Sequence, residues 1–316
     1  MTYFIIFFLI LIVLHLYKKI WNLLEKNNVP TGAGIILVLF VVFLFIFDQS
    51  FYAINYQSII LFLSMLTLIY YIDDLYNLSI AFRITLQIIM GLLIAYILFY
   101  NLSYLNFYTF MLITLSLTSS SILLTNTINF YDGADLNVSV FAILNLTVLL
   151  VVFNSSYEIN NIIIISLIFF LVFSLFNYKE NNLYFGDAGS FFLAGLFLIF
   201  ISYAFINSNL NIIYLLITLS LPVLDVTYVI FYRYYLGEPL YTRHFYQIYQ
   251  IAKEKQKNHM YLLIQPVNAV LVSLSIYILI KLGVNMTYSV IGSSLLITLI
   301  YYFLLRHYLL RDNIKR

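Results

Sequence analysis

Residues 57–79 read QSIILFLSMLTLIYYIDDLYNLS, an apolar run that ends at two adjacent aspartates, Asp73 and Asp74. The apolar part, about 57–72, is slightly short for a bilayer-spanning helix, so we expect it to extend into its flanks. Acidic side chains at the edge of a membrane are costly and are usually retained for a function. This stretch therefore predicts a membrane-spanning helix with functional groups at its end.

The composition extends this interpretation to the whole chain. Of 316 residues, 64% are hydrophobic and 9% are charged, and the mean hydropathy is +1.00. A water-soluble fold cannot bury that much apolar surface, and too few polar residues alternate with apolar ones for an outer-membrane barrel. We therefore expect an all-α polytopic membrane protein. The lack of cysteine excludes disulfides and thiolate metal sites, and a net charge of +2 does not point to nucleic acid.

The apolar runs predict about eleven transmembrane helices in a single domain, 1–316. They cover about 2–17, 33–47, 57–72, 84–100, 107–125, 138–153, 161–176, 188–206, 211–232, 261–280 and 288–305. With the N-terminus outside and the C-terminus in the cytoplasm, every Lys and Arg except Lys281 lies on the inner side, as the positive-inside rule requires. In this topology the polar stretches at the ends of the helices also lie on the cytoplasmic side.

The acid pair Asp73 and Asp74 has two interpretations. Adjacent carboxylates at a helix C-terminus face the unfavourable end of the helix dipole. They could be solvated loop acids, or they could hold a divalent cation or take a proton. We favour the second interpretation because acids at the edge of a membrane are usually functional.

The sequence NTINFYDGAD, which begins at Asn126, is the second polar stretch. Asn126, Asn129 and Asp132 are three residues apart, which places them on one broad face of a helix. Gly133 could then turn the chain so that Asp135 approaches from a loop. Oxygen ligands of this kind suit Mg²⁺ or Mn²⁺. Capping of the next helix would explain one or two of these side chains but not four.

Three further stretches carry polar groups on the inner side. Asp187 begins an apolar helix, where a helix cap explains it as well as a ligand does. Asp225 lies within the ninth span and either has a supporting role or pairs with a base such as Arg233. In the long loop after that span, Arg243 and His244 could clamp phosphate oxygens.

Together these stretches resemble the polyprenyl-phosphate N-acetylhexosamine-1-phosphate transferases, which form glycosyltransferase family 4. They are most similar to the branch that initiates O-antigen synthesis. The resemblance covers nearly the whole chain in order and rests on residues 30–34, 73–74, 126–135, 185–190, 222–225 and 241–247.

The resemblance implies a reaction and a location. The phosphate of polyprenyl (undecaprenyl) phosphate would attack the β-phosphate of a UDP-N-acetylhexosamine, and UMP would leave. The product would start a lipid-linked glycan such as lipopolysaccharide O-antigen or another cell-envelope polysaccharide. The resemblance further implies Mg²⁺, with Mn²⁺ as a substitute, and a multi-pass protein of the bacterial inner membrane whose active site faces the cytoplasm. A homodimer is also expected.

The resemblance also assigns roles to residues. The expected catalytic residues are Asp73, Asp74 and Asp132, and the expected Mg²⁺ ligands are Asp187 and Asn129. The expected substrate-binding residues are Asn126, Asp135, Arg243 and His244. In this assignment the acid pair lies beside the lipid phosphate, Asp135 faces the uracil, and the basic pair contacts the diphosphate or the sugar.

Two departures from the family pattern keep other functions open. The family usually has glycine where Leu136 stands, and its O-antigen branch usually has histidine where Tyr241 stands. One alternative is therefore a catalytically inactive paralogue that serves as an assembly partner. Intramembrane acids also motivate a second alternative, a proton- or cation-coupled transporter, although a transporter would be expected to carry its acids at the membrane midplane and to contain repeats.

Overall fold

The computed structural model describes residues 2–24, 29–47, 54–76, 78–101, 106–153, 157–178, 183–239, 245–256 and 259–311. The regular elements in these ranges are all helices, and the ranges contain no strand. The expected all-α polytopic membrane fold is therefore confirmed.

Twelve α-helices follow one another within the described ranges. They are α1 (Thr2–Leu24), α2 (Gly34–Phe47), α3 (Ile54–Tyr76), α4 (Ile80–Asn101), α5 (Phe107–Tyr131), α6 (Asn137–Val152), α7 (Tyr157–Asn177), α8 (Gly186–Ile206), α9 (Leu215–Tyr235), α10 (Ile248–Gln256), α11 (Ile264–Lys281) and α12 (Met286–Arg311). Short 3-10 helices, Leu210–Tyr214 and His259–Leu263, lead into α9 and α11.

Eleven of these helices coincide with the eleven predicted spans. In the part of the chain that the structure describes, nine are long and apolar enough to cross a membrane, and α2 and α6 supply shorter apolar helices. The remaining helix, α10, lies in the long loop after α9 and carries Lys253 and Lys255 in its last turn. The orientation of the termini stays a prediction.

The helices group into two compact units, residues 1–210 and 211–316. In the first unit α8 is apolar on almost every side and is buried against α2, α3, α4 and α5, as expected of a helix without a polar face. In the second unit α9, α11 and α12 pack together, with Val272, Ile276 and Val290 in their core. That both units act as one functional domain stays a prediction.

Two glycines allow α2 and α8 to touch through their backbones. A Cβ atom on Gly34 would lie 2.1 Å from Cα of Gly189, which is far closer than any real contact. The preceding loop is fastened to the start of α8, because the N–H of Gly34 donates to the carbonyl of Phe185 at 2.9 Å. This contact fixes the amino end of α8, where the polar residues of the first unit meet.

Candidate active site

The candidate site surrounds the amino end of α8. Backbone N–H groups at a helix start have no partner inside the helix. Here two carboxylates accept hydrogen bonds from these groups. Asp132 accepts from the N–H groups of residues 185–186 at 3.1 and 2.9 Å, and Asp74 accepts from those of 187–188 at 2.8 and 3.1 Å. Both carboxylates therefore cap α8 and interact with the positive end of its dipole.

Gly186 is required by the way this turn is packed. Its φ is +86°, a conformation that side-chain-bearing residues rarely adopt. A Cβ atom there would also lie 2.5 Å from the backbone nitrogen of Gly32 and 2.8 Å from Oδ1 of Asp74. The first inner loop and the end of α3 therefore converge on the residue immediately before Asp187.

Asp73 and Asp187 face each other across a single guanidinium group. Nε of Arg83 lies 3.4 Å from Oδ2 of Asp73, and Nη1 of Arg83 lies 3.3 Å from Oδ2 of Asp187. The carboxyl group of Asp73 and the side chain of Asn129 also lie close enough to the Asp187 carboxyl to affect its ionisation. Four groups from α3, α4, α5 and α8 thus share one small volume.

The donor set fits a divalent cation of the Mg²⁺ type. Oδ2 of Asp73 is buried and accepts no hydrogen bond from the described residues, although Arg83 lies near it. Mg²⁺ is usually held by one or two carboxylates together with oxygens of a phosphorylated substrate. Among the described residues, no group of three or more Asp, Glu or His side chains is arranged to hold a metal ion. Metal binding itself stays a prediction.

Asn126 lies on α5 three residues before Asn129. Its Nδ2 donates to the carbonyl of Ile122 at 2.7 Å and to Oε1 of Gln87 at 3.4 Å. Gln87 in turn donates to the hydroxyl of Tyr70 at 2.9 Å. The hydrogen bonds from Asn126 to Gln87 and from Gln87 to Tyr70 connect α5, α4 and α3. The substrate-binding role expected for Asn126 stays a prediction.

The turn after α5 departs from the expected geometry. Asp132 caps the helix end, and the residue with left-handed backbone is Leu136, with φ of 59°, whereas Gly133 does not have a positive φ. The N–H of Leu136 donates to Oδ1 of Asn177 at 2.7 Å, which holds the turn in place. Asp135 is buried in this turn, and its expected contact with uracil stays a prediction.

The ionisation of Asp132 reflects its surroundings outside the membrane spans. Burial raises the pKa of its carboxyl group to about 8, and the negative charges of Asp74 and Asp187 act in the same direction. The two backbone N–H donors at residues 185–186 lower it, because they stabilise the carboxylate. The effect of burial is larger than that of the two donors, so the pKa of the capping carboxyl stays above its ordinary value.

Sequence reasoning missed the role of Arg83, which it counted only as a charge on the inner side. One signal could have found it. Arg83 lies in the first turn of α4, where a cation meets the unfavourable end of the helix dipole, and it follows the acid pair by only ten residues. Such a placement indicates an acidic partner nearby.

Arg243 and His244 fall outside the described residues, so their substrate contacts stay predictions. Asp225 belongs to the second unit, where its carboxylate accepts from the N–H of Ile248.

The fold and the acidic site define a multi-pass helical membrane protein. Its first unit carries a cluster of carboxylates and an arginine around the amino end of α8. Residues 56–206 match the model of glycosyl transferase family 4, so the family predicted from the motifs is confirmed over this segment. The segment contains all the acidic site residues, from Asp73 to Asp187. The match does not distinguish the O-antigen branch. No curated protein matches the chain at a significant level.

The family supports a sugar-phosphate transferase in general, with a lipid-linked acceptor and a nucleotide sugar as its partners in general. The homodimer, the particular sugar and the particular lipid stay predictions.

Proposed function

We propose that the protein transfers N-acetylhexosamine 1-phosphate from a UDP-sugar to polyprenyl phosphate, undecaprenyl phosphate in a bacterium, and releases UMP. The lipid-linked sugar would start a cell-envelope polysaccharide such as O-antigen. The observation that supports this most is the pairing of Asp73 with Asp187 across Arg83, at the ends of membrane helices within the segment that matches the family.

The reaction needs alignment and charge compensation more than acid–base chemistry. A phosphate monoester with a second pKa near ~6 is already largely ionised at pH 7. One of its oxygens bonds to the β-phosphorus of the UDP-sugar as the bond from that phosphorus to the bridging oxygen breaks, and UMP leaves with the bridging oxygen. The barrier comes largely from bringing two anions together, so oriented positive charge and fixed geometry lower it.

Each acidic residue has a place in this proposal. Asp187 and Asn129 would hold Mg²⁺ or Mn²⁺, with Oδ2 of Asp73, which accepts no hydrogen bond from the described residues, beside them. The ion would supply neutralisation of the diphosphate charge. The contacts of Asp74 and Asp132 with backbone N–H groups support a positioning role in place of the catalytic one expected from the resemblance.

Arg83 adds a second source of positive charge. Its side chain is 33% exposed, so donors that now face Asp73 and Asp187 can also reach a bound phosphate oxygen. A guanidinium group can hold two phosphate oxygens at once, which suits a diphosphate better than a point charge does.

The proposal is tested by UMP release from purified protein with polyprenyl phosphate and either UDP-GlcNAc or its 6-deoxy relatives. Release should require Mg²⁺ and stop when EDTA removes it. Asp73→Asn and Asp187→Asn should each lower the rate by at least about 100-fold, because each removes a charge that organises the reacting phosphates. Glu254→Gln, at an exposed acid on α10, is the control and should retain activity.

The opposite results point to the alternatives. No release across the sugar panel from folded protein would reject the transferase. Metal binding without release would then favour the inactive paralogue, and cation-dependent uptake into proteoliposomes would favour the transporter.

A further inference from the structure

The first inner loop, residues 30–34, lies before the segment that matches the family and is held from two sides. On one side, three backbone hydrogen bonds of 2.8, 3.2 and 2.9 Å join the loop to residues 184–185, just before α8. Those two residues lead directly into Gly186 and Asp187. The position of the loop therefore affects the turn that presents Asp187 to the acidic site.

On the other side, two tyrosines hold the loop. The hydroxyl of Tyr17, on α1, donates to the backbone carbonyl of Thr31. The same hydroxyl lies 3.0 Å from the hydroxyl of Tyr71, on α3. Because a hydroxyl group has one hydrogen and Tyr17 gives it to Thr31, Tyr71 is the donor of the second bond. The two bonds run in one direction, from Tyr71 through Tyr17 to the loop, so each strengthens the other.

Gly32 lies where the contacts of the two sides meet. A Cβ atom on Gly32 would lie 2.6 Å from Cε2 of Tyr71 and 3.2 Å from the hydroxyl oxygen of Tyr17. A Cβ atom on Gly186 would in turn lie 2.5 Å from the backbone nitrogen of Gly32. The backbone of Gly32 therefore packs against both the tyrosines and the turn before Asp187, and a shift of the loop would leave that turn without its support.

The attachment of α1 does not depend on Tyr17 alone. This helix packs mainly against α7, and Tyr3 near its start donates to Oδ1 of Asn161 on that helix. The bond from Tyr17 goes instead to the loop, which has no helical hydrogen bonds of its own at Thr31. Its main effect is therefore on the loop.

We propose that Tyr17 and Tyr71 are positioning residues that hold residues 30–34 against the start of α8 and so fix the turn that carries Asp187. This inference rests on the proposed function. The two tyrosines act through the loop, and their role does not require contact with the reacting atoms. All the residues involved belong to the first unit.

The sharpest variant is Tyr17→Phe, which removes both hydroxyl bonds and keeps the aromatic ring. Tyr71→Phe removes only the second bond and keeps the ring that packs on Gly32, so it should act in the same direction with a smaller effect. It also serves if Tyr17→Phe folds poorly. The matched control is Tyr3→Phe, which removes a hydroxyl from the same helix, about 21 Å away at helical rise, that contacts Asn161 and not the loop.

Hydrogen exchange in nanodiscs measures the hold on the loop directly, without substrate or metal. In Tyr17→Phe, the amides that donate the three backbone bonds between the loop and residues 184–185 should exchange about 5- to 10-fold faster, as expected when a supporting hydrogen bond is lost. The same amides in Tyr3→Phe should stay within about 2-fold of wild type. Equal exchange in the two variants would overturn the proposal.

Kinetics then separate positioning of the site from a general loss of structure. Tyr17→Phe should lower kcat for UMP release about 5- to 10-fold, with the KM values of both substrates nearly unchanged, because the charged groups remain but are less well aligned. Its apparent Tm should fall no further than that of Tyr3→Phe. Faster exchange with an unchanged kcat would reject the positioning role, as would a kcat that falls equally in the control.

The two proposals fail in different ways. If the wild type releases no UMP, the proposed transferase is rejected, and with it the role of the tyrosines in that reaction. The exchange rates of Tyr17→Phe and Tyr3→Phe would still decide whether the hydroxyl of Tyr17 holds the loop against α8.

Discussion

Asp74 and Asp132 each accept two backbone N–H groups at the start of α8, whereas Asp73 and Asp187 face each other and Arg83. At the scale of single residues, the four acids therefore fall into two kinds. The first kind satisfies donors that would otherwise be buried without partners. The second kind brings two negative charges together, and the guanidinium group of Arg83 compensates only part of their repulsion.

This division predicts different effects on stability. Asp132→Asn places an amide donor against backbone N–H groups, so it should destabilise the fold by about 1–3 kcal/mol and lower the apparent Tm by several degrees. Asp187→Asn relieves repulsion with Asp73 but also removes the ion pair with Arg83, so the two effects should offset each other and leave the apparent Tm nearly unchanged while UMP release falls.

Thermal unfolding in detergent, beside the activity assay, checks both variants. An equal loss of stability in the two would show that Asp187 is also needed for folding, contrary to the assignment made here.

Leu136 is a second residue whose conformation has a cost. Its φ of 59° is unfavourable for an L-residue by roughly 1–2 kcal/mol. Leu136→Gly, which restores the residue usual in the family, should therefore keep both the apparent Tm and UMP release. Leu136→Val should lower the Tm, because a β-branched side chain is still less compatible with positive φ. A tolerated valine would mean that the turn adopts another conformation.

At the scale of elements, the contact between α2 and α8 depends on the absence of side chains. A Cβ atom on Gly34 would meet backbone atoms of Gly189, which cannot move aside as a flexible side chain could. The helices would have to separate, and the loop that leads to Gly34 would move away from the start of α8. The active-site geometry thus depends on a contact between two helices far apart in the sequence.

Gly34→Ala should therefore lower the free energy of unfolding by about 1–3 kcal/mol and reduce UMP release. Gly292→Ala is the matched control, since a Cβ atom there would have no described neighbour within 4 Å. In the middle of α12 this second change should be neutral or stabilising by about 0.5–1 kcal/mol. Apparent Tm values of the two variants test the claim, and similar values would refute it.

At the scale of the whole molecule, the distribution of charge predicts the orientation in the membrane. The positive-inside rule places Glu254 on α10 in the cytoplasm and Lys281 at the end of α11 outside. Because the chain has no cysteine, a single introduced cysteine reports its own position without background.

In intact cells, Lys281→Cys should react with a membrane-impermeant maleimide, and Glu254→Cys should react only after the cells are permeabilised. The reverse pattern would contradict the predicted orientation.

The sequence by itself determined the eleven apolar helices and the acids and amides at their ends. It could do so because span length, hydropathy and the cost of charge in a membrane are properties of local sequence. The same local pattern carried the family resemblance that the match over residues 56–206 confirmed.

Only the tertiary structure decided what each acid does. The partners of Asp74 lie 113 and 114 residues away in the chain, and those of Asp132 lie 53 and 54 residues away. The pairing of Arg83 with Asp187 spans 104 residues. Such contacts depend on how α3, α4, α5 and α8 pack, which no local pattern encodes. For the same reason, local sequence did not predict the left-handed backbone of Leu136 or the hydrogen bond from Ile248 to Asp225.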